Sequence, residues 1–138
     1  MDSTTDVWKE FSENEITHSA AHHLLAIFEL HEKRGYARVT DVAKFLDITT
    51  GSASTNLKSL KAKGLIDEDD NKFLSLSVAG QALAKGILGK RHIVEKFLMT
   101  VLGVSHEQAS IDACKTEHLL SEETAMKMES YSKKLEKK

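Results

Sequence analysis

Residues 40–76 read TDVAKFLDITTGSASTNLKSLKAKGLIDEDDNKFLSL, and this stretch decides the fold. Thr40 is a good helix N-cap, and Asp41 puts negative charge in the first turn, where the helix dipole favours it. A short helix is expected over residues 41–46, with Val42, Phe45 and Leu46 as its apolar face. Asp47-Ile48-Thr49-Thr50 reads as a turn. A further helix is expected over residues 51–63, with Ala53, Leu57 and Leu60 inward and Gly64 just past its end. Leu65-Ile66 and Phe73-Leu74-Ser75-Leu76 flank a polar run and read as two short strands. With the helix upstream, this order is that of a winged helix-turn-helix.

Upstream, residues 17–34 carry Leu24, Ile27, Phe28 and His31 at helical spacing, and Gly35 follows the basic pair Lys33-Arg34 as a stop. Residues 1–16 offer only Trp8 and Phe11, three apart, for a short helix. Downstream, Ser77 is expected to cap a long helix over residues 78–102, with Gly86 and Gly89 as places for a bend. Ser105 and Gln108 fit a capping box for a helix running to about residue 120. Ser121 then caps a last helix over residues 122–134. The fold class is therefore mainly α: an N-terminal winged helix-turn-helix over residues 1–76, then a helical domain over residues 77–138.

Composition agrees. The 138 residues include no proline and only seven glycines, which favours helices over a many-turned β sandwich. No apolar run is long enough to cross a bilayer, and the acidic start lacks the apolar core of a signal peptide. The single cysteine, Cys114, excludes an internal disulfide framework. A cytoplasmic protein with no membrane partner is expected.

The net charge is −2, yet residues 38–66 hold five basic and two acidic side chains and are net +3. Local charge, not the total, governs contact with nucleic acid. The start of the second short helix presents Thr49, Thr50, Gly51, Ser52, Ser54, Thr55 and Asn56, small or polar groups suited to phosphates and base edges. Lys58 and Lys61 follow on the same element as expected phosphate contacts, and Lys63 continues the charge. With one Asn and no Arg on this helix, readout leans on Asn56, hydroxyls and DNA shape. The plainer alternative is that these hydroxyls only solubilise a helix face. The four consecutive acids Asp67, Glu68, Asp69 and Asp70 argue against strong contact of the wing with phosphates.

Cys114, Glu117 and His118 lie at i, i+3 and i+4 and so share one helical face. Each is a metal-ligand type, and a group from another helix would complete a site. His22 and His23 of the first helix, or His92 with Glu95 three residues on, are available. The same residues also read as a small buried thiol and ordinary surface polar groups.

The chain resembles the diphtheria toxin repressor family of metal-dependent transcriptional regulators, which includes the manganese transport regulators. The strings that carry the resemblance are AIFELHEKRGYARVTDVAKFLDIT, LKSLKAKGLI, LSLSVAGQALA, KRHIVEKFLMTVLGV and CKTEHLLSEE, over roughly residues 19–123. The resemblance implies a homodimeric repressor of metal-uptake genes that binds operator DNA when loaded with a divalent transition metal. It also implies the short architecture without an SH3-like domain. His22 falls at the family's first-helix ligand position, so the implied primary site is His22, Cys114, Glu117 and His118. Leu25 stands where manganese sensors have a second acidic ligand. His92 matches a ligand of the family's second site, Glu95 matches its partner with a one-residue offset, and Ser110 replaces a further ligand, so one well-formed site is expected. Imidazoles, thiolate and carboxylate form a borderline-soft set, which favours Fe(II), with Mn(II) and Zn(II) as alternatives.

Two other readings remain open: a winged-helix interaction module with a degenerate metal site, and a small zinc hydrolase. The second is disfavoured, because no HExxH, phosphate loop or nucleophile motif is present. No enzyme activity is expected. Ile93, Phe97, Leu98, Val101, Leu102 and Leu119 are more apolar positions than so short a chain can bury alone, and are expected at a dimer interface.

Overall fold

The computed structural model describes residues 16–117 and 119–137, so the expected helix at Trp8 and Phe11, and the ligand position His118, lie outside the described residues. The described residues form six helices and one two-stranded sheet, which makes the fold mainly α with a winged helix-turn-helix. The chain divides into two compact units, Thr17–Lys85 and the part from Gly86 onward, with the division inside a continuous helix.

In the first unit, α1 spans His18–Arg34. The Thr17 hydroxyl accepts the Ala20 N–H at 3.1 Å to open it, and Gly35 closes it at φ 80°. Leu24, Ile27 and Leu30 form its buried stripe. The second helix, α2 (Val39–Leu46), starts earlier than the Thr40 cap predicts. Its N-cap is Arg38, whose backbone N–H donates to the Asp41 carboxylate at 2.8 Å. Asp41 thus holds the third helical position and closes the first turn from inside. Phe45, expected inward, is 41% exposed, and only Val42 and Ala43 are buried. The Phe45 ring instead lies under the Lys33 ammonium, 5.6 Å from it, beside the last turn of α1.

Helix α3 (Thr50–Ala62) follows after Asp47, whose φ of 56° ends α2. Ala53, Leu57 and Leu60 point inward as the spacing predicts. β1 (Ile66–Glu68) and β2 (Leu74–Leu76) pair antiparallel, with Ile66 opposite Leu76 and Glu68 opposite Leu74. Asp69 builds the turn between them: its Oδ1 accepts the N–H groups of Asn71 and Phe73, each at 2.9 Å. The hairpin is tied down at Leu74, whose N–H donates to the Ala37 carbonyl at 2.8 Å and whose carbonyl accepts from His31 Nε2 at 2.7 Å.

Helix α4 (Val78–Thr100) opens on Ser77 and runs without interruption through Gly86 and Gly89. In the second unit it is followed by α5 (His106–Thr116) and α6 (Glu122–Glu136). Ser105 caps α5 as expected, accepting the Gln108 N–H at 3.2 Å. The reciprocal half of the capping box is replaced: Gln108 Nε2 donates to Asp112 at 2.9 Å. Helix α5 also stops at Thr116, short of residue 120, and beyond it the Leu119 N–H makes the tighter i→i−3 bond to the Thr116 carbonyl at 3.0 Å. Ser121 then caps α6. Ion pairs Lys90–Glu122 at 3.2 Å and Lys96–Glu136 at 2.6 Å join α4 to α6. No helix of the described residues is long and apolar enough to cross a membrane.

Candidate nucleic-acid interface and metal centre

The outward end of α3 is built by its cap. Thr49 accepts the Ser52 N–H at 3.1 Å, which exposes Thr50, Gly51 and Ser52 on the first turn. A Cβ added at Gly51 would meet nothing within 4 Å, so the fold itself does not require glycine there. The missing side chain leaves the backbone open to close approach by a ligand. Thr55 and Asn56 are partly committed to the helix. The Thr55 hydroxyl donates to the Gly51 carbonyl at 3.1 Å, and Asn56 Nδ2 donates to the Ser52 carbonyl at 3.3 Å while its Oδ1 accepts from Ser19 at 3.4 Å. Ser54 is half-buried, whereas Lys58 is exposed. Lys61 is exposed too, but its ammonium pairs with Glu68 of the wing at 3.0 Å.

That pair changes the reading of the acidic wing. Glu68 is turned onto Lys61, and the Asp69 carboxylate is used in the hairpin turn. Asp67 and Asp70 remain exposed on the hairpin. Beside the hairpin lies a platform that sequence reasoning missed. The Arg38 guanidinium stacks 4.2 Å from the Phe73 ring centre, Arg34 stacks 4.4 Å from that of Tyr36, and the two rings meet edge-on at 6.0 Å. The string RGYAR holds most of it, but its partner Phe73 is far away in sequence, so only the hairpin register brings them together.

Among the metal-ligand types, His22 is half-buried on α1, and one turn earlier stands His18, which sequence reasoning also missed. The two rings are 4.4 Å apart between centroids. His23 turns elsewhere: it is buried, and its Nδ1 donates to the Ser19 carbonyl at 2.7 Å.

In the second unit, Cys114 is half-buried on α5. Burial, reinforced by the Glu117 carboxylate, pushes its thiol above the usual range, against the opposing pull of Arg91. Glu117 is the C-cap of α5, with helical angles of φ −55° and ψ −35°, so it keeps the face of Cys114. It is fully buried at 0% exposure, and both its carboxylate oxygens accept from Arg91: Oε1 from Nη2 at 2.9 Å, and Oε2 from Nε in a shorter contact. His92 and Glu95 line one shallow cavity with Lys96, Met99 and Thr100. Glu95 there faces His106 Nε2 at 3.1 Å, and the Lys96 cation lies in the same lining. Met99, Leu102, Ile111, Leu119, Met126 and Tyr131 are exposed in this unit, while Ile93, Phe97, Leu98 and Val101 are half-buried.

Residues 15–73 match the family model described as the iron dependent repressor N-terminal DNA binding domain. Residues 77–138 match its companion, the iron dependent repressor metal binding and dimerisation domain. The chain belongs to the iron-dependent repressor family. It is 30% identical over 105 residues to the HTH-type transcriptional regulator MntR of Lysinibacillus sphaericus, across 76% of this chain and 75% of that one. It is 26% identical over 115 residues to the iron-dependent repressor IdeR of Mycobacterium bovis, across 83% of this chain. The match takes in 50% of that relative, so the chain spans about half the length of the first curated relatives it resembles. A solved structure of the hypothetical protein SSo2273 from Sulfolobus solfataricus shares the fold, with a TM-score of 0.71 at 20% identity over 86% of this chain and 91% of that one.

The donor types fit a transition metal. An imidazole on α1 and a half-buried thiol on α5 are borderline to soft ligands, and a thiol whose proton is held by burial is released by a bound cation. The Glu117 carboxylate fits only in exchange for its bonds to Arg91.

Proposed function

We propose that the protein is a metal-dependent transcriptional regulator that binds operator DNA as a homodimer and represses metal-uptake genes when loaded. The observation that carries this reading is the capped start of α3, with Thr50, Gly51, Ser52 and Lys58 exposed in a winged helix-turn-helix, in a chain whose remainder matches a metal-binding and dimerisation family model. Residues 1–76 would be the DNA-binding domain and residues 77–138 the metal-binding and dimerisation domain. The names of the relatives, regulators responding to iron or manganese, support a divalent metal. The ligands would be His22, Cys114, Glu117 and His118, and the donor chemistry favours Fe(II) over Mn(II), with Zn(II) also accommodated. His92 and Glu95 would add at most an incomplete second site, since Glu95 already faces His106 and Ser110 stands where a further ligand is expected.

On DNA, the N–H groups and hydroxyls at the start of α3 would approach the duplex where Gly51 leaves room. Lys58 would neutralise a phosphate. Exposed apolar residues such as Leu102 and Leu119 would be covered in the dimer. When bound, the ion would supply coordinate bonds to these side chains. The regulator would act in the cytoplasm and have no catalytic role, in keeping with relatives named as regulators.

The test is a titration of metal-free protein with Fe(II) under anaerobic conditions, and separately with Mn(II) and Zn(II), while binding to the DNA upstream of its own gene is followed by anisotropy. A rise in affinity of about 5–150-fold, the usual range of allosteric coupling, is expected with the activating metal. DNA binding that no metal changes would overturn this reading in favour of a metal-free winged-helix interaction module.

A further inference from the structure

His18 and His22 are separated by one turn of α1, so their side chains leave the helix on the same face. Their ring centroids are 4.4 Å apart with planes tilted by 56°, and their ligand nitrogens lie within 4.8 Å of one another. Two nitrogens bound at about 2.1 Å to a tetrahedral ion are roughly 3.4 Å apart. Small rotations of two side chains therefore suffice to bring both onto one ion. His18 is exposed and His22 half-buried, so both can turn without disturbing the core.

The neighbouring positions favour this pair over other donors. His23 is buried and bonded to Ser19, and Leu25, the next residue along the face of His22, is a buried aliphatic. The Glu117 carboxylate has both oxygens on Arg91. Helix α1 thus carries its second donor on the turn before His22. The helix N-terminus nearby is mildly unfavourable to a cation, a small effect beside two coordinate bonds.

We propose that His18 and His22 form a two-imidazole chelate on α1, so that His18 is a metal ligand and the first helix offers two nitrogens to the ion. The inference rests on the metal-dependent reading above. It also sets the preference within it: a second imidazole favours Zn(II), Co(II) or Fe(II) over Mn(II), which prefers oxygen.

The experiment uses the full chain. Zn(II) and Co(II) affinities are measured by competition with a chromophoric chelator for the wild type, His18→Ala, His18→Gln and His22→Ala. One equivalent of Zn(II) is also added to protein labelled with nitrogen-15, and the imidazole nitrogens are observed. Removal of an outer-shell partner alone costs about 10–100-fold in metal affinity, so both His18 variants should lose at least about tenfold. Zn(II) should move a ring nitrogen of both His18 and His22. Unchanged affinity in the His18 variants alongside a loss in His22→Ala, or a Zn(II)-induced shift confined to His22, would overturn the chelate and leave the regulator reading standing. Wild-type protein that takes up none of Zn(II), Co(II), Fe(II) and Mn(II) would overturn both.

Discussion

Gly80→Ala is expected to damage the junction between the wing and α4. Gly80 lies in the first turn of α4, and a Cβ built there would sit 2.0 Å from the Leu65 carbonyl oxygen and 3.0 Å from its carbon. Carbon and oxygen normally approach no closer than about 3.3 Å, so helix and strand must separate by more than an ångström. The obstructing atom is backbone and cannot rotate away. The same carbonyl accepts the Ser77 N–H at 3.0 Å, and the Ser77 hydroxyl both donates to the Gly64 carbonyl at 2.7 Å and accepts the Gly80 N–H at 3.0 Å. Overpacking costs about 1–3 kcal/mol, and loss of the Ser77 cap about 1 kcal/mol more. Alanine returns at most about 1 kcal/mol of helix propensity. The net expectation is a loss of about 1–3 kcal/mol. Gly86→Ala is the internal control: it lies in the same helix, a Cβ there would meet nothing within 4 Å, and it should gain up to about 1 kcal/mol. Urea unfolding followed by circular dichroism should move the two midpoints in opposite directions. A Gly80→Ala variant as stable as wild type would refute the close approach.

The other expectations concern the interface with DNA and the first turn of α2. Lys58→Ala should reduce the salt dependence of operator binding, the slope of log K against log salt, by about one unit. Lys61→Ala should do less, because Lys61 is already paired with Glu68, and Glu68→Gln should raise DNA affinity by releasing it. Equal effects from both lysines in anisotropy titrations across a salt series would mean that the pair does not persist on DNA. Asp41→Asn should lower stability by about 1 kcal/mol at neutral pH, since Asp41 holds the Arg38 N–H and pairs with Arg34. Burial alone would raise the Asp41 pKa, but Arg34 and the backbone N–H of Arg38 outweigh it and hold the carboxyl below its ordinary range. The contribution is thus fully present above the unfolded value of about 3.9 and is lost as pH falls through the lower folded value. Wild type and Asp41→Asn should therefore converge in stability only in strong acid, and convergence already at pH 5 would contradict the pairing.

Most of the fold could be read from residues that act locally. Ser77, Ser105 and Ser121 each cap the helix they were expected to open, because an N-cap needs only a hydroxyl and an N–H three residues on. The inward positions of α3 follow from spacing alone. The failures come where a distant group decides. Thr40 is a better cap than Arg38 by residue type, yet the Asp41 carboxylate reaches the Arg38 N–H, and the Arg34 and Phe73 side chains settle around that turn. The spacing extends α5 to residue 120, and nothing in its composition announces the i→i−3 bond by which the Leu119 N–H turns to Thr116 after the helix has ended.

The candidate sites were legible as residue types and not as pairings. Glu117 reads as a ligand from its spacing to Cys114, but whether a buried carboxylate meets a metal or a guanidinium depends on Arg91, twenty-six residues earlier on another helix. Burial makes the distinction consequential. A fully buried carboxylate must be compensated, and Arg91, itself only 27% exposed, does so with two bonds. A metal that recruits Glu117 must therefore replace that compensation and also find the guanidinium another partner, a cost that a ligand at half-buried His22 does not carry. The same reasoning applies to Asn56, whose amide is occupied by Ser52 and Ser19 and whose use in base readout would require those weak, long bonds to be exchanged. Bonds of 3.3 and 3.4 Å are easily given up, whereas a bidentate buried ion pair is not, so Asn56 reaches DNA at little cost while Glu117 reaches a cation only by exchanging its bonds to Arg91.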